Sequence, residues 1–387
     1  HHPDSRNGCR PASVDGKIRL MFSYLSKRQA STAIILTLLV FMLHYGFSLL
    51  FPGYLYLEEA SDLIAIAAQS GAIGFQLAGA RYLVARLKRT FKDEFPAVPG
   101  RGGGDCPYMA ARSVLCNRAH YIAFIAAFLS PFIVITLVSL QPDSAPRHLL
   151  SLASRSIPGL TFDVFNYGTA YANYWLLGTI AWILLGVVVA LNGMEGAGCS
   201  VYDAVDIYSP DRIGGLSPVR RYLMSALSIF LISIALLVMG YINLLESFIG
   251  SSQGLFHFFF DVVAEICVFS VLSLSGVALT VVGLNRLSAI CLKKIEDRVN
   301  AVNERCRTFQ ENLFSLSPDE LERRGDEVGS LKLVVEALSD ERERLLQRYS
   351  DCSGFNARMA LRIFVAYIPP LVTIAFQVSQ LLPRLRV

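Results

Sequence analysis

The stretch YLMSALSIFLISIALLVMGYI, residues 222–242, decides the fold of this chain, because it carries no charged side chain from end to end. A helix rises about 1.5 Å per residue, so a run of this length is roughly 30 Å long, the thickness of a bilayer's hydrocarbon core. In that medium only a helix satisfies every backbone N–H and C=O from within the segment. Four further runs read the same way: Ala30–Phe51, Tyr121–Leu140, Asn173–Gly193 and Asp261–Leu284. Ile363–Leu382 joins them, with Pro369 and Pro370 interrupting its middle. Asp62–Val84 is less oily, carries Gln69 and Gln76, and is rich in Ala and Gly. Small residues let helices approach closely, so this segment suits a helix packed against others. The expected fold is all-α: a polytopic transmembrane helical bundle of seven spans, or of six with a re-entrant helix.

Composition agrees with this. The 387 residues are 53% hydrophobic and 17% charged, against about 25% charged in soluble domains. The net charge of +4 is small and is not gathered in one tail. Nucleic acid is therefore not an expected partner, whereas the lipid bilayer is.

Two independent patterns orient the bundle. With the N-terminus inside, Lys and Arg concentrate in the segments 1–29, 85–118, 196–221 and 286–357. The segments 53–61 and 244–260 carry none, and 141–172 carries only Arg147 and Arg155. That is the positive-inside asymmetry of a protein integral to the cytoplasmic (inner or plasma) membrane with a cytoplasmic N-terminus. Cys9, Cys106, Cys116, Cys199, Cys291, Cys306 and Cys352 all fall on the same inner side, and Cys267 falls within a span. A reducing cytoplasm leaves such thiols unpaired. Tyr54, Tyr56, Tyr167, Tyr171, Tyr174 and Trp175 are expected at the outer ends of spans, as an aromatic belt.

The chain divides into a cytoplasmic N-terminal segment 1–29, a six-span bundle 30–285, a cytoplasmic coiled-coil-like helical hairpin 286–357, and a last kinked helix 358–387. In the hairpin, Leu292, Ile295, Val299, Val302, Cys306, Phe309 and Leu313 step by three and four residues. That spacing is a heptad seam. Ser317-Pro318-Asp319-Glu320 reads as a capped helix start. A second helix then places Leu331, Val335, Leu338 and Leu345 on one face. The seam pairs either within the hairpin or between subunits, and both arrangements bury the same kind of surface. The run from Gly100 to Pro107 is Gly-rich, but it follows no strand and is expected to open no helix. It therefore fails as a dinucleotide fingerprint and reads as a linker.

The most unusual polar stretch is the loop 196–221, in which Asp203, Asp206 and Asp211 could gather as a small cation site. The alternative is a structural loop with helix caps. Pro210–Leu216, written Pro-Asp-x-x-Gly-Gly-Leu, and the pair Pro369-Pro370 together resemble a set of uncharacterised bacterial multi-pass membrane proteins. The resemblance covers two short stretches and implies no established activity.

Ionisable and polar groups at membrane depth are functional candidates. Asp261 and Glu265 lie one turn apart on one face of the sixth span. Gln69 and Gln76 share a face of the second span, and Gln377 and Gln380 share one of the last. These groups either line an ion pathway or bond helices together. No metal-ligand cluster, cofactor motif or catalytic constellation stands out, so an enzyme is not expected. Thr280-Val281-Val282-Gly283 only brushes against a potassium-filter sequence. The expected function is that of an oligomeric channel-like or sensor-coupled membrane protein whose cytoplasmic helices assemble or gate it. Two alternatives remain open: a non-catalytic scaffold holding a cytoplasmic partner through 286–357, and a small-solute or ion transporter.

Overall fold

In the computed structural model the described residues are 29–50, 60–95, 106–139, 157–194, 201–249 without Pro210 and Arg212, 255–315 and 329–350. Every regular element among them is helical. In chain order the α-helices are α1 (Gln29–Leu50), α2 (Ala60–Lys88), which runs on into a π-helical turn at Arg89–Asp93, α3 (Cys106–Leu115), α4 (Arg118–Ser139), α5 (Ile157–Gly193), α6 (Val201–Ala204), α7 (Ser217–Ile249) and α8 (Leu255–Phe314). One more helix occupies 329–350.

Four helices among the described residues are long and apolar enough to cross a membrane. They are Arg118–Thr136 of α4, Tyr167–Gly193 of α5, Ser217–Gly240 of α7 and a stretch within Cys267–Asn312 of α8. The first span expected from sequence is helical as α1, with Ile34–Leu43 as its apolar stretch. The second is helical as the 29 residues of α2. The last expected span, with Pro369, Pro370, Gln377 and Gln380, lies outside the described residues.

The packing follows from which runs are apolar on every side. α5 touches α2, α3, α4, α7 and α8, and it is the most deeply buried of the four long apolar helices. α2 runs against α7, and α1 covers α2. The α2–α7 approach is close because Gly79 carries no side chain: a Cβ there would sit 2.4 Å from a methyl of Ile229. α1 turns Ile34, Ile35, Leu38, Leu39 and Met42 outward, the apolar surface that contact with lipid requires. One core cluster runs from Leu83 and Leu177 through Leu227 and Leu284 to Ile295, Val302 and Leu345.

Three expectations change. Helix α5 begins at Ile157 rather than near Asn173, so part of the segment read as an outer loop is helix. Tyr171 and Tyr174 consequently lie along α5 and pack inward instead of forming a belt. The Tyr174 ring stacks on Phe132 with centroids 3.7 Å apart, and the Tyr171 hydroxyl donates to Thr136 Oγ1 at 2.8 Å. Trp175 remains exposed. Finally, the Gly-rich run does lead into a helix. Cys106 and Pro107 open α3, where the fixed φ of proline suits the first helical turn.

Candidate functional site

The polar hub of the molecule is built on the 201–217 segment, where α6, the start of α7, the second half of α8 and the 329–350 helix meet. The turn needs glycine: φ is +67° at Gly214 and +84° at Gly215, a region that side-chain-bearing residues rarely adopt. A Cβ on Gly214 would also strike Val205 at 2.3 Å. Asp211 organises this turn. Its Oδ1 accepts N–H groups from Ile213 (3.2 Å) and Gly215 (2.8 Å), and its Oδ2 accepts that of Ser217 (2.9 Å), the first residue of α7. Burial alone would push this carboxyl up. The donors from Gly215, Ser217 and Ile213, with the Ser209 hydroxyl, outweigh burial and hold it below the usual carboxylate range.

The three aspartates of the sequence reading therefore do different things. Asp211 is occupied by backbone donors. Asp206 Oδ1 accepts the Tyr208 N–H at 2.9 Å, and the Asp206 N–H donates to the Gly214 carbonyl at 3.0 Å. Asp203 lies exposed on α6. No group of three or more His, Cys, Asp or Glu side chains is gathered for a metal among the described residues.

Helix α8 is tied to this loop by residues that the sequence reading passed over. Lys294 donates to three carbonyls, those of Tyr202 (2.9 Å), Asp203 (3.0 Å) and Val205 (2.7 Å). It thereby satisfies the C-terminal end of α6, where orphan carbonyls and the helix dipole favour a cation. Its ammonium also sits 5.3 Å from the Tyr202 ring centroid. The Tyr202 hydroxyl donates to Asp297 Oδ2 at 2.7 Å. This bond to a carboxylate, together with burial, pushes the phenol up to about 12.

The 329–350 helix docks on the same surface. Arg298 of α8 pairs with Glu341 at 2.9 Å, and Glu341 also accepts the Tyr208 hydroxyl at 2.8 Å. The two donors hold the Glu341 carboxyl below its ordinary range. Arg348 donates to the carbonyls of Ile207 and Ser209 and lies over the Tyr208 ring. Of the heptad seam, Ile295 and Val302 are buried, while Leu292, Val299, Cys306 and Phe309 are half-buried. Leu345 belongs to the same apolar cluster, with Leu338 packed against it. The side chain of Leu313 lies outside the described residues.

Inside the bundle, Gln69 and Gln76 are both buried. The Gln69 backbone carbonyl accepts the Asn173 side-chain amide at 3.4 Å. Gln76 has no hydrogen-bond partner for either amide atom among the described residues. Arg81 is 8% exposed, and its Nε and Nη1 are likewise without a partner there. Arg81 lies within the expected second span, Asp62–Val84, and is not among the candidates read from the sequence. The side chains of Asp261 and Glu265 lie outside the described residues, although both positions are within α8.

Four apolar helices around one core, with a polar hub at one end, define the class: an all-helical protein with helices of membrane-spanning character. No protein-family model matches this chain, and neither a curated protein nor a solved structure matches it.

Proposed function

We propose that this is a channel-like or sensor-coupled protein of the inner or plasma membrane. In this reading a seven-span bundle with a cytoplasmic N-terminus is coupled to a cytoplasmic helical hairpin between its last two spans. The observation that carries the reading is α8, a single helix of 60 residues. It is about 90 Å long and passes from the apolar bundle to the polar hub without a break. Its far half is clamped at Lys294, Asp297 and Arg298. A helix held this way moves as a rod, so a shift of the 329–350 helix reaches the bundle as translation or rotation of one of its members. Gln76 and Arg81, buried without partners among the described residues, support a hydrated interior, because such groups are costly unless water or an ion meets them. Burial of Ile295 and Val302 beside Leu345 supports pairing of the seam within one chain, so a homo-oligomer would assemble through other surfaces.

The test is ion flux from proteoliposomes loaded with a potassium or chloride reporter. The reading expects flux with wild type and a changed flux with Arg298→Glu, which breaks the clamp outside the membrane. Liposomes that stay sealed with both proteins refute it. The second reading, a scaffold that anchors a cytoplasmic partner, is favoured by Phe314, Leu333, Val334 and Leu346, which are apolar yet exposed on the cytoplasmic helices. Sealed liposomes would leave that reading standing.

A further inference from the structure

A cavity of about 920 Å³ opens between the 201–217 loop, α8 and the 329–350 helix. Its size matches the pockets that hold small molecules and cofactors, about 300–1,000 Å³. Its floor is apolar, formed by Ile295 and Leu345. Its walls carry Arg298, Arg344 and Arg348 against Asp340 and Glu341, which leaves a net positive charge. These cations are not equivalent. Arg298 is neutralised by Glu341, with which it makes its ion pair. Arg348 binds only backbone carbonyls and a ring face, so its charge has no counterion in those contacts. Arg344 is exposed to the cavity and makes no hydrogen bond or ion pair among the described residues.

The geometry points to a binding site for a soluble phosphate-bearing ligand of nucleotide size, seated between Arg344 and Arg348 with Asp340 facing its hydroxyl groups. Guanidinium groups bind phosphate through paired, charge-assisted hydrogen bonds. A carboxylate beside them suits the sugar hydroxyls of a nucleotide, and it disfavours a bare polyanion. A ligand here touches both the 329–350 helix and α8, so it would set the position of the clamp that the proposed coupling uses. The inference rests on that reading for its regulatory meaning, but not for binding itself. The same reading also decides the source of the phosphate. Arg298 lies 12 residues beyond Arg286 on one continuous helix, or about 18 Å further from the bilayer. A lipid headgroup would not reach that depth, so a freely diffusing ligand is expected.

The test is calorimetric titration of the full-length protein in nanodiscs with ATP, GTP, cyclic AMP and NAD, with adenosine and inorganic phosphate as controls. At least one nucleotide should saturate one site per chain and bind more tightly than either control. Arg344→Glu should weaken that binding about tenfold or more, with an unchanged thermal midpoint because the side chain is exposed. Absence of saturable binding to wild type, or wild-type affinity in Arg344→Glu, overturns the proposal. Binding of vesicles bearing a phosphorylated inositol lipid, without binding of any soluble nucleotide, overturns it as well. Flux without nucleotide binding sinks this inference alone, and nucleotide binding to sealed, non-conducting liposomes sinks only the channel reading.

Discussion

Replacing Asp211 by alanine should destabilise the protein more than any other single change in its polar loops. The residue gives three backbone N–H groups their acceptor, at 3.2, 2.8 and 2.9 Å, and one of these opens α7. Loss of a helix cap costs about 0.5–2 kcal/mol. Each further buried donor left without its charged acceptor adds about 1 kcal/mol. The expected loss is therefore about 2–4 kcal/mol. Asp211→Asn should fall between alanine and wild type, because its carbonyl oxygen can keep Ile213 and Gly215 while its NH₂ is turned toward another donor, Ser217. The loss is read as the midpoint of SDS unfolding in mixed micelles, followed by the fluorescence of Trp182, which is 7% exposed. The pH dependence has a definite sign. The folded carboxyl titrates below its unfolded value, which is about 3.9. Its contribution is thus fully present above about pH 5 and is lost as pH falls through the folded value. Wild type and Asp211→Ala should converge in stability as pH falls below the unfolded value. Equal stability of the two at pH 7, within about 0.5 kcal/mol, would refute the reasoning, since that is the scatter of ordinary surface substitutions.

Three further outcomes follow from the packing. The double change Ile295→Asp/Val302→Asp buries two carboxylates in an apolar cluster, so the protein should lose about 3 kcal/mol or more while its light-scattering mass stays that of wild type; a fall in mass would place the seam between subunits. Lys294→Met removes the ammonium shared by three carbonyls and should cost about 1–2 kcal/mol, read as faster hydrogen exchange over 201–206; unchanged exchange would count against it. Gly79→Leu would force a side chain into Ile229 and separate α2 from α7, lowering the thermal midpoint by several degrees, whereas an unchanged midpoint would show that the contact gives way.

Much of this architecture was legible in the sequence, for a reason peculiar to apolar solvents. A run such as residues 222–242 has one way to satisfy its backbone in hydrocarbon, so length and hydropathy alone mark a helix there. The heptad spacing likewise named Ile295 and Val302, which prove to be buried, because a helix must turn one stripe inward. Boundaries were read less well where helix continues past the apolar run. Tyr171 and Tyr174 read as belt residues, yet they pack from α5 against α4. Their amphipathic rings suit either place, and only the neighbours Phe132, Thr136 and Phe269 decide between them.

The polar hub was legible in its turn chemistry and not in its partners. Pro210–Leu216 announced a turn, and Gly214 and Gly215 supply its positive φ angles. Nothing local revealed that Lys294 would reach the carbonyls of Tyr202, Asp203 and Val205 from about 90 residues away, or that Glu341 would join Arg298 to Tyr208. Sequence by itself determined the helices and the medium they suit, because both follow from transfer free energies that each segment carries alone. Which charges pair, which amides are left without partners, and where a cavity opens were decided by tertiary structure, because those properties belong to contacts between segments distant in the chain.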